Sequence, residues 1–600
     1  MTISAIQPAF TALQKVSQKP SGVAFAGQRL ISAPPIPSWD AKSHDMVARN
    51  FPRHQTPSLN TMFHQKRREA LLSMLPANTT VVVTGNRLYG RNYDVDYQYR
   101  QDSNFYYLTG FDEPDAVAVL SNVPGKPRFT MFVQPANPWR ETWDGERAGV
   151  TGAKNTYKAN AAYGIDELAQ RLPDVLKNSK RLMWAPSEFN TELNNQVQKL
   201  MRVANTGPAI RNVAADIHHL RTIKTTYEIA LMKRACEISA QGHLAIMREA
   251  KNLLDDQGKL NEGRIQALTE YYFRDGGAER VGYPTIAPGG ARTCTLHYNT
   301  NRKDAKAGDL VLLDGGAEYN YYTADITRTW PVSGKYTPEQ KAIYDVVLDA
   351  QESSIQMVKP GATLKDIHAN AVRKVTEGLV GLGILQGDVD QLIKDGAYFK
   401  YFMHGTSHMM GMDVHDVNLT SQQGLSAKVR NTAKQVKSAV TKSLIDLGVL
   451  KGDPEKLIAD KEYFKYYVQG GDALGVDETH QAELNKNFAQ LASTRGHATV
   501  PLQPGMIFSV EPGIYVPKDD TSVDPKWRGI GVRIEDDILV TPEGYDNLSG
   551  MIPRTTEEIE ALMAQSQPET PAPAVTVEDT QEPKGLRLPG WQPGDPELFP

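Results

Sequence analysis

Carboxylates stand at the end of, or inside, four strand-like segments where a buried strand would normally carry hydrocarbon side chains. Asp314 ends the apolar run of DLVLLDGG, and Asp325 lies in TADITRTW. Glu511 precedes Pro-Gly in MIFSVEPGIYV, and Glu535 lies in GIGVRIEDDILV. A lone ionised carboxylate on a buried strand is costly unless it is paired or bound to a metal ion. Arg533 can neutralise one or two of the four, whereas a shared cation would satisfy the whole set.

The segment FMHGTSHMMGMDVHD, residues 402–416, adds three histidines, His404, His408 and His415. Clustered imidazoles supply neutral metal ligands or proton carriers near physiological pH. Carboxylates with imidazole form a hard, oxygen-rich site that favours Mn²⁺, Co²⁺ or Fe²⁺ and tolerates Zn²⁺. Two ions about 3.5 Å apart would balance so many negative ligands and hold a hydroxide that attacks at neutral pH. The residue types therefore predict hydrolysis, although each carboxylate alone would fit a solvated strand end.

Alternating helical and extended segments must position these residues. A helix is predicted for HQKRREALLSML (residues 64–75), followed by a strand at 79–83. Residues 100–110 and 116–120 are also predicted to be extended. This alternation continues to about Val213 and indicates a first α/β domain.

A second α/β domain is predicted to begin with a long helix near Lys224, whose apolar residues recur every three or four positions. Another helix is predicted to begin at Thr337, because Thr-Pro-Glu-Gln combines an N-cap, a proline in the first turn and a capping-box Gln340. The predicted fold class is therefore α/β (α+β) with two domains.

Composition limits the possible partners and location of the chain. The 600 residues include 66 Lys and Arg against 70 Asp and Glu, a net charge of -4 that argues against nucleic-acid binding. No apolar run approaches the roughly 18 residues that cross a bilayer, so no membrane partner is expected. Two cysteines make no disulfide framework and suit a reducing compartment. We predict a cytoplasmic protein, with an organellar location as the alternative because no acidic residue precedes Asp40.

Four long motifs resemble the pita-bread metallopeptidases, and within them aminopeptidase P, the Xaa-Pro aminopeptidase. They are LLDGGAEYNYYTADITRTWPVSG, HGTSHMMGMDVHD, SVEPGIYV and GIGVRIEDDILVT. The segment YRQDSNFYYLTGFDEPDAVAVL resembles the N-terminal domain of that family. The resemblance implies an N-terminal domain at 56–215 and a pita-bread catalytic domain at 216–564. Residues 1–55 are predicted to be a flexible leader, and 565–600 a disordered Pro-rich tail.

The resemblance also implies a role for each candidate site residue. The implied ligands of two divalent ions, with Mn²⁺ expected first, are Asp314, Asp325, His408, Glu511 and Glu535. Asp325 and Glu535 match the bridging carboxylates, and Glu511 also matches the residue that handles protons. The implied substrate and intermediate contacts are made by His297, His404 and His415. Tyr283 and Arg533, near the metals, are the implied substrate-binding residues.

The implied reaction removes the N-terminal residue from peptides whose second residue is proline, by attack of a metal-bridging hydroxide. A homo-oligomer is expected. Prolidase, which cleaves Xaa-Pro dipeptides, is the nearest alternative, and a catalytically silent binding protein is another. A serine hydrolase is disfavoured, because Ser407 lies in G-T-S-H-M and not in a G-x-S-x-G elbow.

An internal near-repeat interrupts the resemblance. TEGLVGLGILQGDVDQLIKDGAYFKYFMHG, ending at Gly405, resembles TKSLIDLGVLKGDPEKLIADKEYFKYYVQG, ending at Gly470, and about half of the paired positions are identical. We infer a partial duplication of 375–405 within an insertion at about 419–499. In the second copy, Gln469 stands at the position that corresponds to His404, so no third metal site is predicted. The copy would be either a surface decoration or a rim element that restricts peptide length or mediates assembly.

Overall fold

The first domain is a six-stranded sheet with helices on its faces. The computed structural model describes residues 60–204, 210–417, 438, 441–442, 444–446, 450–459 and 500–565. The helices of this domain are α1 (Thr61–Met74), α2 (Ser103–Thr109), α3 (Pro138–Asp144), α4 (Gly149–Asn155), α5 (Leu168–Leu176) and α6 (Thr191–Ala204). Its strands are β1 (Thr79–Thr84), β2 (Gly90–Asn92), β3 (Val95–Asp96), β4 (Val117–Ser121), β5 (Phe129–Val133), β6 (Ala161–Gly164), β7 (Arg181–Ala185) and β8 (Arg211–Asn212). The strand order is β6-β5-β4-β1-β7-β8, with β1 antiparallel to β4 and parallel to β7.

Helix α7 (Ala214–Thr222) leads into the second domain. The further helices are α8 (Thr226–Glu249), α9 (Glu262–Asp275), α10 (Pro338–Gln356), α11 (Leu364–Gly381), α12 (Val389–Asp395), α13 (Pro454–Ala459) and α14 (Thr556–Met563). The further strands are β9 (Lys259–Asn261), β10 (Arg280–Val281), β11 (Asp304–Lys306), β12 (Leu310–Asp314), β13 (Ala317–Tyr319), β14 (Tyr322–Thr323), β15 (Thr327–Pro331), β16 (Ile507–Val510), β17 (Gly513–Val516), β18 (Ile530–Arg533), β19 (Asp536–Val540) and β20 (Tyr545–Asn547).

The strands of the second domain form small antiparallel sheets that meet edge to edge. β12 pairs with β15, β16 pairs with β19, and β17 pairs with β18. A bridge between Thr327 and Glu535 joins the first of these pairs to the β18–β19 connection, and a bridge between Met409 and Phe508 joins the histidine-rich segment to β16. These cross-links bring together segments that are distant in sequence.

The local sequence signals predicted several of these elements. Helix α1, strands β1 and β4, and the long helix α8 lie where they were predicted. The capping box of α10 is confirmed, since the Thr337 side chain accepts from the Gln340 N–H and the Gln340 side chain accepts from the Thr337 N–H.

The prediction of an extended segment at 100–110 is wrong, because this segment contains α2. Asp102 caps the helix by accepting the Phe105 N–H at 3.0 Å. Gly110 ends it at φ 68°, a left-handed conformation that glycine adopts without strain. The two caps outweigh the β-preference of the aromatic residues between them.

Helix α13 lies within the inserted near-repeat and matches α12 of the first copy. Asp453 caps α13 by accepting the Lys456 N–H at 2.9 Å, and Asp388 caps α12 by accepting the Gln391 N–H at 3.0 Å. The same capping interaction at matching positions supports the inferred duplication. Most of the insertion, together with the predicted leader and nearly all of the predicted tail, lies outside the described residues.

Among the described residues, no helix combines the length and the apolar character needed to cross a membrane. The domain limits at 55, 215 and 564 stay predictions.

A buried histidine in the first domain predicts loss of stability in acid. His64 bonds through Nδ1 to the Tyr107 carbonyl oxygen at 3.0 Å, and burial lowers its pKa from 6.5 to about 4. Between these values the unfolded chain binds a proton that the folded chain does not. The free energy of unfolding should therefore fall as the pH drops through this window, by at most about 1.4 kcal/mol per pH unit for this group.

Thermal unfolding of the metal-free protein between pH 7.5 and 4.5 tests this expectation. His64→Gln keeps an N–H donor but does not titrate, so its midpoint should depend less on pH than that of the unaltered protein. His219→Gln, at an exposed position, is the control. Equal pH dependence of the His64→Gln variant and the unaltered protein would contradict the assignment.

Candidate metal centre

Five predicted ligands lie at the end of a strand or in a connecting segment, and they converge at one place. Asp314 is the last residue of β12, and it pairs with Thr327 of the antiparallel strand β15. Asp325 lies two residues before Thr327. Glu535 connects β18 to β19 and is bridged to Thr327. Glu511 follows β16 directly, and the Ser509 N–H within β16 donates to the His408 carbonyl oxygen at 2.9 Å.

The His408 imidazole is surrounded by carboxylate oxygens. Its Nε2 lies 3.3 Å from Asp325 Oδ2, 3.6 Å from Glu511 Oε1 and 3.9 Å from Glu535 Oε1. Asp325, His408 and Glu535 each offer a ligand atom, and these atoms lie within 4.8 Å of one another. This donor set of buried oxygens and one imidazole fits a divalent cation, because a single bound ion would touch all of them.

Asp314 joins this group through two other predicted site residues. The Tyr283 hydroxyl lies 2.6 Å from both Asp314 Oδ1 and Asp325 Oδ1. Arg533 is buried and donates from Nη2 to Asp314 Oδ2 at 2.5 Å. The structure thus brings Tyr283 and Arg533 against the carboxylates, as a support behind the candidate ligands.

The three other predicted histidines border the same site. His404 Nε2 lies 2.8 Å from the Tyr515 hydroxyl, and its Nδ1 lies 3.7 Å from Glu511 Oε2. The rings of His415 and His408 have centroids 4.2 Å apart. His297 is exposed. Burial is the main cause that lowers the pKa values of His404 and His415, and an electrostatic interaction with His297 adds to it. All ten predicted site residues therefore lie around one centre.

The protonation of the site reflects crowding of buried acids. Burial raises the pKa of Glu511 to about 7 and also raises the pKa values of Asp314 and Glu535. Burial alone would lower the pKa of His408, but the Asp325 hydrogen bond and the charge of Glu511 outweigh it and raise that pKa to about 9. Burial and mutual repulsion make it costly to ionise these carboxylates together, and a bound cation would offset that cost.

Tyr515 is a site residue that the sequence reasoning missed. Its hydroxyl accepts from Arg533 Nη1 at 3.0 Å and contacts the imidazole of His404. The side-chain period of an extended segment, counted from Glu511, would have placed Tyr515 on the same face. Asp537 was also missed: its Oδ2 accepts the Asp325 backbone N–H at 3.0 Å, which orients that candidate ligand from behind.

Comparisons with known proteins show the family of this chain. Residues 230–437 and 420–542 match the sequence model of metallopeptidase family M24, and residues 64–184 match that of the aminopeptidase P N-terminal domain. The Xaa-Pro aminopeptidase of Escherichia coli K12 is 32% identical over 507 residues, covering 83% of this chain and 97% of that protein. The chain belongs to metallopeptidase family M24, in its aminopeptidase P branch. The M24 match is divided into two parts at the predicted insertion.

Two further proteins extend the aminopeptidase P comparison. The structure of Pseudomonas aeruginosa aminopeptidase PepP is 34% identical and superposes with a TM-score of 0.69, covering 84% of this chain and 98% of that one. An Arabidopsis thaliana relative named "Intermediate cleaving peptidase 55, mitochondrial" is 29% identical over 508 residues, covering 85% of this chain and 84% of that protein. The predicted family, fold class and enzyme class are confirmed.

Proposed function

We propose that this chain removes the N-terminal residue from peptides with proline in the second position, using two divalent metal ions. The observation that carries the proposal is the cluster around His408, where three carboxylates lie within 4 Å of one imidazole nitrogen. Four buried carboxylates exceed the charge of one divalent ion, which supports a pair of ions. Oxygen-rich ligands favour Mn²⁺, with Co²⁺, Fe²⁺ or Zn²⁺ as alternatives.

The proposed ligands are Asp314, Asp325, His408, Glu511 and Glu535. When bound, such ions supply a nucleophile from water at neutral pH and polarise the scissile carbonyl. We propose that Glu511 also handles the proton of the reaction, because a carboxylate beside the nucleophile can act as a general acid or base.

The histidines are suited to bind the substrate as neutral donors. Burial lowers the pKa of His404 to about 3 and that of His415 to about 4, so both imidazoles are uncharged at neutral pH. A neutral imidazole N–H aimed at a developing oxyanion stabilises the tetrahedral intermediate. We propose this role for His415 and the exposed His297. For His404 we propose a substrate contact through the ring, because its nitrogens lie 2.9 Å from the Gly405 carbonyl oxygen and 2.8 Å from the Tyr515 hydroxyl. Arg533 and Tyr283 hold Asp314 from behind, so we propose that they serve substrate binding by fixing this ligand.

A metal-exchange experiment tests the function. After chelation and dialysis, hydrolysis of a Gly-Pro-Xaa tripeptide should be lost and should return on addition of Mn²⁺ or Co²⁺, whereas a Gly-Ala-Xaa tripeptide should stay a poor substrate. Proline in the second position lacks an N–H and has a fixed ring, so a pocket shaped for it can select it. Faster cleavage of the dipeptide Gly-Pro would identify a prolidase instead, and activity that survives complete metal removal would contradict the proposed chemistry.

A cytoplasmic homo-oligomer is also proposed. Two cysteines in 600 residues suit a reducing compartment. The name of the Arabidopsis relative keeps an organellar location as the alternative.

A further inference from the structure

A buried network of charged side chains holds the loop that carries His415. Asp413 and Asp416 flank this histidine, and Arg221 donates from Nη2 to Asp413 Oδ2 at 2.7 Å and to Asp416 Oδ1 at 2.6 Å. Lys224 Nζ lies 3.1 Å from Asp416 Oδ2. Arg100 Nη2 also lies 3.7 Å from Asp413 Oδ1, and the Asp413 side chain is 42% exposed. Three cations and two carboxylates therefore meet at the base of the loop.

The network is closely packed. The side chains of Arg221 and Lys224 are 3% and 1% exposed. Gly411 lies against the pair, and a Cβ at this position would collide with the Asp416 carboxylate. Only glycine leaves room for the loop to approach the buried ions so closely.

The N-terminal domain completes the network. Arg221 donates from Nη1 to Asn104 Oδ1 at 2.8 Å, and the Ser103 hydroxyl donates to Asp413 Oδ1 at 2.6 Å. Asn104 and Ser103 belong to the first turn of α2. Arg100 from the same domain donates from Nη2 to the Met412 carbonyl oxygen at 2.6 Å. The first domain thus contacts the loop within three residues of His415.

The imidazole of His415 depends on this support. Among the described residues, no hydrogen bond holds the ring itself, which stacks obliquely beside His408 and is open to the cleft. Its position is therefore determined by the backbone on either side, where Asp413 and Asp416 are held. Buried ion pairs with several hydrogen bonds tolerate little movement, because removing one partner leaves an uncompensated charge.

We propose that Arg221 is a positioning residue that places His415 through Asp413 and Asp416, and that Asn104 and Ser103 make the N-terminal domain part of this arrangement. The inference rests on the substrate role proposed above for His415. It assigns the first domain a direct part in assembling the catalytic centre.

A double-mutant cycle tests the inference. Arg221→Lys, His415→Ala and their combination are compared in hydrolysis of a Gly-Pro-Xaa tripeptide at full metal occupancy, checked by metal analysis. Arg221→Lys should lower kcat by roughly 10- to 100-fold, since small misplacements of catalytic groups have effects of this size. KM should change little. In the His415→Ala background, Arg221→Lys should have almost no further effect, because residues that act through one another are not additive.

If Arg221→Lys does not fold, Asn104→Ala takes its place in the cycle with His415→Ala. Asn104→Ala should lower kcat by less than Arg221→Lys, and its effect should likewise disappear in the His415→Ala background. Arg211→Lys is the matched control, since this arginine of β8 bonds Asp216 of α7 at 2.7 Å and has no described contact with the His415 loop, so kcat and KM should stay unchanged. Additive effects in the cycle would overturn the inference and leave the proposed function intact. An unchanged kcat and KM for His415→Ala would overturn both the inference and the role proposed for that histidine.

Discussion

Asp325→Asn is expected to lower kcat/KM for a Gly-Pro-Xaa tripeptide by about a thousandfold. Asp325 is central to the cluster: Oδ2 lies 3.3 Å from His408 Nε2, and Oδ1 lies 2.6 Å from the Tyr283 hydroxyl. An amide keeps the volume of the side chain but is a poor ligand for a divalent ion. Metal ions contribute several kcal/mol of transition-state stabilisation. A loss of about 4 kcal/mol corresponds to a thousandfold lower rate.

The metal content of the purified variant should fall together with its activity, while its circular dichroism spectrum stays that of the unaltered protein. Asp519→Asn is the matched control, because this carboxylate is exposed on the loop after β17. Asp519→Asn should keep both full metal content and full activity. Full metal binding and activity in Asp325→Asn would exclude Asp325 as a ligand.

Arg328→Met is expected to lower the free energy of unfolding by about 3–5 kcal/mol, the usual cost of removing one partner of a buried ion pair. Arg328 is fully buried behind the candidate ligands. Its guanidinium donates to Asp536 Oδ1 at 2.7 Å and to the Glu535 carbonyl oxygen at 2.7 Å. Methionine preserves most of the volume, so the loss would come mainly from the unpaired carbonyl and from the carboxylate of Asp536, whose remaining cation, Arg554, lies 3.7 Å away.

Urea unfolding of the metal-free proteins measures this effect without a contribution from metal binding. Arg373→Met is the control, since Arg373 pairs with Asp390 at 2.6 Å on the surface and should leave the midpoint nearly unchanged. Adding Asp536→Asn to Arg328→Met should recover part of the lost stability, because it removes a buried charge that has lost its closest cation. Similar midpoints for Arg328→Met and Arg373→Met would show that the buried pair is not needed for stability.

The chemistry of the site could be predicted from the sequence because its signals are local. Asp314 ends an apolar run, and Glu511 precedes a Pro-Gly pair after another. Such carboxylates are recognisable one segment at a time, because burial makes an unpaired charge costly wherever the strand lies. The capping box at Thr337 is local in the same sense. The extended prediction for 100–110 failed where two local signals competed, since the caps of α2 outweighed its aromatic β-formers.

The partners of these residues were decided by the tertiary structure. The sequence placed Arg533 near the metals, but the packing of β18 against β12 directs it to Asp314, with Tyr515 as a second partner. Nothing local indicates that Arg221 reaches both Asp413 and Asn104.

The sequence alone therefore determined the family, the fold class and the residue types of the centre. Its long motifs are contiguous. Each strand-end carboxylate can be recognised within its own segment, because an unpaired charge on a buried strand is costly. The tertiary structure decided which carboxylate each arginine or lysine side chain pairs with. It also decided which residues of the first domain contact the loop that carries His415. Those contacts join segments far apart in the chain, and their geometry depends on how the strands and the two domains pack.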